Sequence, residues 1–244
     1  MKRGEKEQLC LDSVRKILRT KNCKNYLDED AVIIENILTA QENEQANNFP
    51  DFICQNGFIE HFQVSASGET KKGFLYKQEE SCFERQSNES IDNKKVEYLN
   101  SIFKSNTLIT YESTLQYDKN RYENYVKCFK KNFESHIDSL KKYDGSKDNG
   151  AFLIEQVDGN LFVDEAAPYM PYSLSIDKKL LQYVYQYRDF LTYVLFTNGE
   201  RCEIIKLSLI PKILSKVKDG IKFKAGRMIS VKLLSCIDID LEKK

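Results

Sequence analysis

The sequence lacks any long hydrophobic run, since no stretch approaches the ~18 consecutive apolar residues of a membrane-spanning helix. The chain begins with a charged segment, residues 1–6, which is not followed by the apolar segment typical of a signal peptide. Together these two absences predict a cytoplasmic protein that does not enter a membrane.

A net charge is also absent, because 37 basic residues balance 37 acidic residues. Composition alone therefore does not predict a nucleic-acid-binding protein. The charges are nevertheless unevenly distributed, because residues 28–44 carry six acidic and no basic side chains, whereas residues 206–232 carry eight basic and one acidic side chain. The basic segment 206–232 has two interpretations, a surface that contacts phosphates and an ordinary solvated face.

The seven cysteines have no CxxC spacing, and the chain has only two histidines, His61 and His136. This pattern indicates neither a disulfide framework nor a zinc site, so the cysteines are expected to be buried free thiols. No internal repeat, P-loop, GxGxxG or GxSxG motif is present. Positive evidence for function must therefore come from other residues.

The Asn56-Gly57 dipeptide is the strongest local signal in the chain. It lies between two short runs of β-branched and aromatic residues and favours a type I′ hairpin turn, in which both central residues need positive φ. With these two residues in the turn, Asp51 faces Phe62 across the hairpin. Side chains alternate along a strand, so Asp51 and Glu60 are predicted to be diagonal neighbours on one face of the sheet.

Diagonal neighbours lie about 7–8 Å apart at Cα and closer at the ends of their side chains. Two carboxylates on an apolar sheet face repel each other and lose hydration unless a cation or a shared proton lies between them. A divalent metal would remove this conflict. The alternative is that both carboxylates lie at the solvent-facing edge of the hairpin.

Pro50-Asp51, followed by a tight turn and an acidic residue in an apolar strand, resembles the PD-(D/E)XK nuclease superfamily. The resemblance covers mainly residues 28–66 and implies the restriction-endonuclease-like fold. It also implies that Asp51 and Glu60 bind Mg²⁺ or Mn²⁺. In many members a glutamate on the preceding helix completes the metal site, and the candidates for this role are Glu35 and Glu29.

In this family a lysine two residues after the second acid helps to activate the attacking water, but Phe62 occupies that position here. The lysine is therefore expected from another part of the chain, because its charge matters more than the backbone position that delivers it. Candidates are Lys71 and Lys72 after the strand and Lys127, Lys130 and Lys131 on a later helix. Without such a lysine, the resemblance implies an inactive site.

Gln63 is a further candidate for orienting a water, although in the type I′ register it points to the opposite face. A three-residue turn with a bulge would instead pair Asp51 with His61 and place Gln63 on the same face. The alternative constellation is then Asp51, His61 and Gln63. The type I′ register is preferred because it needs no bulge.

Hydrophobic periodicity predicts a helix over residues 5–19 and a second from an Asp28 N-cap to about residue 41, with an apolar stripe of Ala31, Ile34 and Leu38. Residues 42–49 are too short for a full strand, although the nuclease family usually has one at this point. Residues 77–94 show no hydrophobic periodicity, which predicts a mobile segment without regular secondary structure. The clearest helical pattern spans residues 119–143.

The predicted element order is helix, hairpin, helix, strand, helix and strands. It predicts an α/β or α+β fold with a mixed central β-sheet flanked by helices. We expect one domain over residues 1–244, with the helix 5–19 at its N-terminal end and the basic segment 206–232 near its C-terminal end.

The expected function is a metal-dependent nuclease that hydrolyses phosphodiester bonds, with DNA favoured over RNA. Its predicted metal ligands are Asp51, Glu60 and Glu35, and its predicted catalytic residues are Asp51, Glu60, Gln63 and Lys72. The alternative is an inactive nuclease-fold module that binds nucleic acid or a protein partner. Because no separate recognition domain is evident, the chain is expected to act alone, as a homodimer or beside a partner.

Overall fold

The computed structural model describes residues 4–44, 49–65, 73–101, 108–116, 121–157, 161–164 and 170–234. Its helices are α1 (Glu5–Ile17), α2 (Ile33–Thr39), α3 (Gly73–Ser101), α4 (Arg121–Lys142), α5 (Lys178–Tyr185) and α6 (Ile210–Leu214). Its strands are β1 (Cys23–Tyr26), β2 (Gln41–Glu42), β3 (Phe52–Cys54), β4 (Gly57–Val64), β5 (Leu108–Gln116), β6 (Ala151–Gln156), β7 (Leu161–Val163), β8 (Tyr193–Thr197), β9 (Cys202–Lys206) and β10 (Phe223–Leu234). None of the helices in these ranges is both long enough and apolar enough to cross a membrane.

The chain, for which the sequence predicts one domain, divides in the structure into two compact units. Unit 1 comprises Met1–Gly68 and Asn120–Lys224, and unit 2 comprises Glu69–Lys119 and Ala225–Lys244. The predicted hairpin and most of the described helices and strands lie in unit 1.

Unit 1 is built on a seven-stranded sheet with the order β1-β9-β8-β6-β4-β3-β2. Strands β4, β6 and β8 run parallel, while β2, β3 and β4 form an antiparallel ribbon and β9 runs antiparallel to β8. All five residues of β8 are buried, as expected for a central strand covered on both faces. The prediction of a mixed sheet flanked by helices is therefore confirmed.

One face of this sheet packs against α1 and α2. Leu11 and Val14 of α1 and Ile33 and Ile37 of α2 are fully buried there, against sheet residues such as Leu153. The predicted stripe of α2 is wrong: the helix begins at Ile33 after a Val32 N-cap, and Leu38 is exposed. Ile33 and Ile37 are four residues apart, about one helical turn, so both lie on the same side of this short helix, and that side faces the core.

The opposite face packs against α4, and this layer is strongly aromatic. Phe133 of α4 contacts Phe62 of β4 and Phe152 of β6 edge to face, with ring centroids 6.3 and 5.2 Å apart. The helix lies within the pattern predicted for residues 119–143, and its buried positions recur every three or four residues at Val126, Phe129, Phe133, Ile137 and Leu140. The long periodic pattern was thus sufficient to predict this element.

Unit 2 contains α3, together with β5 paired antiparallel to β10. The prediction of a mobile segment over residues 77–94 is wrong, because those residues lie within the 29-residue helix α3. Phe83, Ser87 and Ile91 are its buried positions in the described part. A stripe of one residue per turn, interrupted by serine, is too weak to be recognised as helical periodicity in the sequence.

Candidate functional site at the carboxyl ends of β4 and β6

The β3–β4 hairpin places Asp51 beside the middle of β4. The turn contains Gln55 and Asn56, and Cys54 pairs with Gly57, so neither predicted register is observed. Phe52 pairs with Ile59, and one further step along this register places Asp51 opposite Glu60. A shift of two residues preserves the face of every side chain, so Asp51 and Glu60 become direct rather than diagonal neighbours.

Gly57 allows another segment of backbone to pack closely against it, and it does not form a type I′ turn. Positive φ values occur at Gly4, Gly199, Gly220 and Asn149 in the described residues, and neither Asn56 nor Gly57 is among them. A Cβ at Gly57 would lie only 2.7 Å from the backbone oxygen of Asn149. The glycine is therefore needed because another backbone segment approaches it closely, which the dipeptide signal cannot reveal.

Asp51 and Glu60 are held together by the backbone. The Asp51 N–H donates to Glu60 Oε2 at 2.9 Å, and the His61 N–H donates to Asp51 Oδ2 at 2.8 Å. Burial, and then the adjacent Glu60 carboxylate, raise the pKa of Asp51 to about 6. The two carboxylates therefore have the electrostatic conflict expected of a cation site.

His136 of α4 contacts Glu60, the second of the two predicted acids. Its Nδ1 lies 2.7 Å from Glu60 Oε1, and its ring stacks on Phe62 with centroids 4.5 Å apart. Helix α4 thus places an imidazole nitrogen beside Glu60 and over the ring of Phe62. The only signal for this contact in the sequence is weak: His136 lies beside the apolar stripe of α4.

The other predicted residues are less well placed or lie outside the described residues. Lys71 and Lys72 belong to the latter group. Lys127 and Lys131 are exposed on α4, and the Lys130 ammonium lies over the Tyr183 ring, 4.5 Å from its centroid. The two helix glutamates proposed as additional metal ligands, Glu35 and Glu29, are both exposed.

A second polar cluster lies on the α1 face of the sheet, because His61 follows Glu60 and side chains alternate along β4. Glu155 of β6 is its centre. Its Oε2 lies 3.1 Å from His61 Nε2 and accepts a 2.8 Å hydrogen bond from Gln63 Nε2. The hydrogen bonds from His61 and Gln63 lower the pKa of Glu155 despite its partial burial.

This cluster opens into a cavity of about 300 Å³ lined by Lys6, Leu9, Cys10, Ser13, Gln63, Glu155, Thr197 and Gly199. The cavity lies near the carboxyl ends of parallel strands, where α/β proteins commonly bind ligands. His61 and Gln63 were predicted for the alternative constellation, but Glu155, Cys10 and Lys6 were not. Only the pairing of β4 with β6 brings Glu155 to this position, opposite Gln63.

Comparisons of the chain with protein-family models, curated proteins and solved structures find no match. The arguments for function therefore depend on the residues and their geometry.

Proposed function

We propose that this chain is a metal-dependent phosphodiester hydrolase of the PD-(D/E)XK type, acting on nucleic acid. The observation that carries the proposal is the direct juxtaposition of Asp51 and Glu60, two carboxylates on neighbouring strands linked through the Asp51 N–H. Magnesium prefers such oxygen ligands and is commonly bound by one or two carboxylates together with substrate phosphate.

The topology also supports the proposal. Strand β2 lies between α2 and β3, and Glu42 of β2 pairs with Phe52. The family usually has a strand at this point, and here it is only two residues long. Within unit 1 the antiparallel ribbon is followed by α4 and the parallel strand β6, which places the acidic pair beside a mixed sheet.

In this proposal Asp51 and Glu60 hold Mg²⁺ or Mn²⁺, which supplies an activated water and stabilises charge on the scissile phosphate. Each Glu60 oxygen already accepts one hydrogen bond but retains a second lone pair for a metal. His136 positions Glu60 and provides a nitrogen that can exchange a proton near this carboxylate. DNA remains favoured over RNA as the substrate, and the basic segment 206–232 would contact phosphates.

The experiment is a cleavage assay on plasmid and single-stranded substrates with Mg²⁺ or Mn²⁺. We expect cleavage by the wild type and loss of cleavage in Asp51→Asn and Glu60→Gln. The matched control is Asp138→Asn, which changes an exposed aspartate on α4. Absence of cleavage in the wild type under both metals, or equal cleavage by Asp51→Asn, would reject the proposal.

The second candidate is a catalytically inactive module that binds nucleic acid or a protein partner. It is favoured by Phe62, which is buried and stacked on His136 at the position of the family's lysine. This candidate predicts nucleic-acid retention in a gel-shift assay without cleavage. A Phe62→Lys variant that cleaves in the same assay would support an inactivated nuclease.

A further inference from the structure

We propose that Cys10, His61 and Glu155 form a binding site for Zn²⁺ or a chemically similar divalent transition-metal ion. The site is separate from the Asp51–Glu60 pair, and the inference does not depend on the proposed nuclease function. One ligand comes from each of three elements, α1, β4 and β6. The ligand atoms of all three residues lie within 4.8 Å of one another.

The spacing suits a common metal centre. Ligands bound at about 2.0–2.3 Å in a tetrahedron lie about 3.3–3.8 Å apart. The His61 Nε2 and Glu155 Oε2 atoms are already 3.1 Å apart, so a metal would replace the hydrogen bond between them with little movement. The thiol of Cys10 completes a triangle of three chemically different ligands.

The chemistry of this ligand set selects the metal. Magnesium prefers oxygen ligands, whereas a thiolate with an imidazole and a carboxylate suits zinc and its neighbours. Cys10 is 5% exposed and His61 is 6% exposed, so the two ligands lie in surroundings with little water. Zinc sites with three protein ligands usually retain a fourth position for water or substrate.

That fourth position would face the 300 Å³ cavity, since Cys10 and Glu155 both line it. Lys6 also lines this cavity and is close enough to help lower the pKa of Glu155. A small anion bound to the metal would therefore meet the positive charge of Lys6. Gln63 already donates to Glu155 and would keep this ligand oriented.

The chain provides matched controls for each ligand type. Cys54 is another buried cysteine, and His136 is the only other histidine. The test uses the full chain after chelation and measures zinc stoichiometry by mass spectrometry following dialysis. Cobalt is used as a spectroscopic substitute because a cobalt-bound thiolate gives an ultraviolet charge-transfer band.

We expect one zinc per chain and a thiolate–cobalt band in the wild type. Cys10→Ser should lose the band, and Glu155→Gln should weaken zinc binding by more than the roughly 10–100-fold typical of residues that only support a ligand. Cys54→Ser and His136→Asn should retain both signals. Because 25% of the Glu155 side chain is exposed, Glu155→Gln gives a result even if Cys10→Ser fails to fold.

A wild type without bound zinc and without the cobalt band would overturn the proposal, as would equal zinc affinity in Glu155→Gln. Neither measurement uses a nucleic-acid substrate, and the Glu60→Gln variant should keep the cobalt band. Loss of cleavage in Glu60→Gln with the band intact would show that the two sites are independent. A band without any cleavage would support the zinc site and reject only the nuclease function.

Discussion

The Asp51→Asn substitution should make the protein more stable at neutral and alkaline pH. Burial and the Glu60 carboxylate raise the pKa of Asp51 from 3.8 to about 6, so the folded state binds its proton more tightly than the unfolded state. Between these two pKa values the folded state carries more protons, and the free energy of unfolding therefore falls as pH rises. Above about pH 6 the full penalty of the ionised carboxylate is present.

The size of the effect follows from the difference between the two pKa values. At about 1.4 kcal/mol per pKa unit, the shift corresponds to up to about 3 kcal/mol. Asparagine cannot ionise, and its amide oxygen can still accept the hydrogen bond from the His61 N–H. The stability of Asp51→Asn relative to wild type should therefore increase by about 2–3 kcal/mol between about pH 4 and pH 8.

The assay is urea unfolding of both proteins across this pH range, in the presence of a chelator so that no divalent metal compensates the charge. Other carboxylates titrate in both proteins, so the difference isolates Asp51 and its coupling to Glu60. Asp138→Asn serves as the control and should differ from wild type by less than about 0.5 kcal/mol at every pH. A flat difference for Asp51→Asn across the range would refute the raised pKa of Asp51 that burial and the Glu60 carboxylate are argued to cause.

Three further substitutions test the packing around the site by chemical denaturation. Gly57→Ala should destabilise unit 1 by about 1–3 kcal/mol, because its Cβ would collide with the Asn149 backbone; an unchanged midpoint would contradict the close approach. His136→Ala should cost about 1–3 kcal/mol because Glu60 Oε1 loses its described partner, and a neutral result would mean that this bond contributes nothing net. Phe133→Ala should cost about 3–5 kcal/mol through the cavity left in the aromatic layer, and a cost below about 1 kcal/mol would show that the layer repacks.

The hydrophobic pattern was most informative where it was long. The buried stripe of α4 repeats over about four turns, from Val126 to Leu140, so local periodicity alone predicted this helix. The short helix α2 and the weakly patterned helix α3 were mispredicted, because tertiary packing decides which face of such a segment is buried. A mixed sheet flanked by helices followed from the order of elements, and the structure confirms it.

The candidate site depended on distances that no local pattern contains. Sequence alone predicted that Asp51 and Glu60 lie near each other, since a Pro-Asp pair, a turn and a second acid are neighbours along one hairpin. The approach of His136 to Glu60 requires α4 to cross the sheet 76 residues later. The meeting of Cys10, His61 and Glu155 requires helix α1 to pack on two parallel strands, and parallel pairing joins residues far apart in the chain. Local propensity therefore determined the hairpin and the long helix, whereas packing between distant elements decided which side chains share a site.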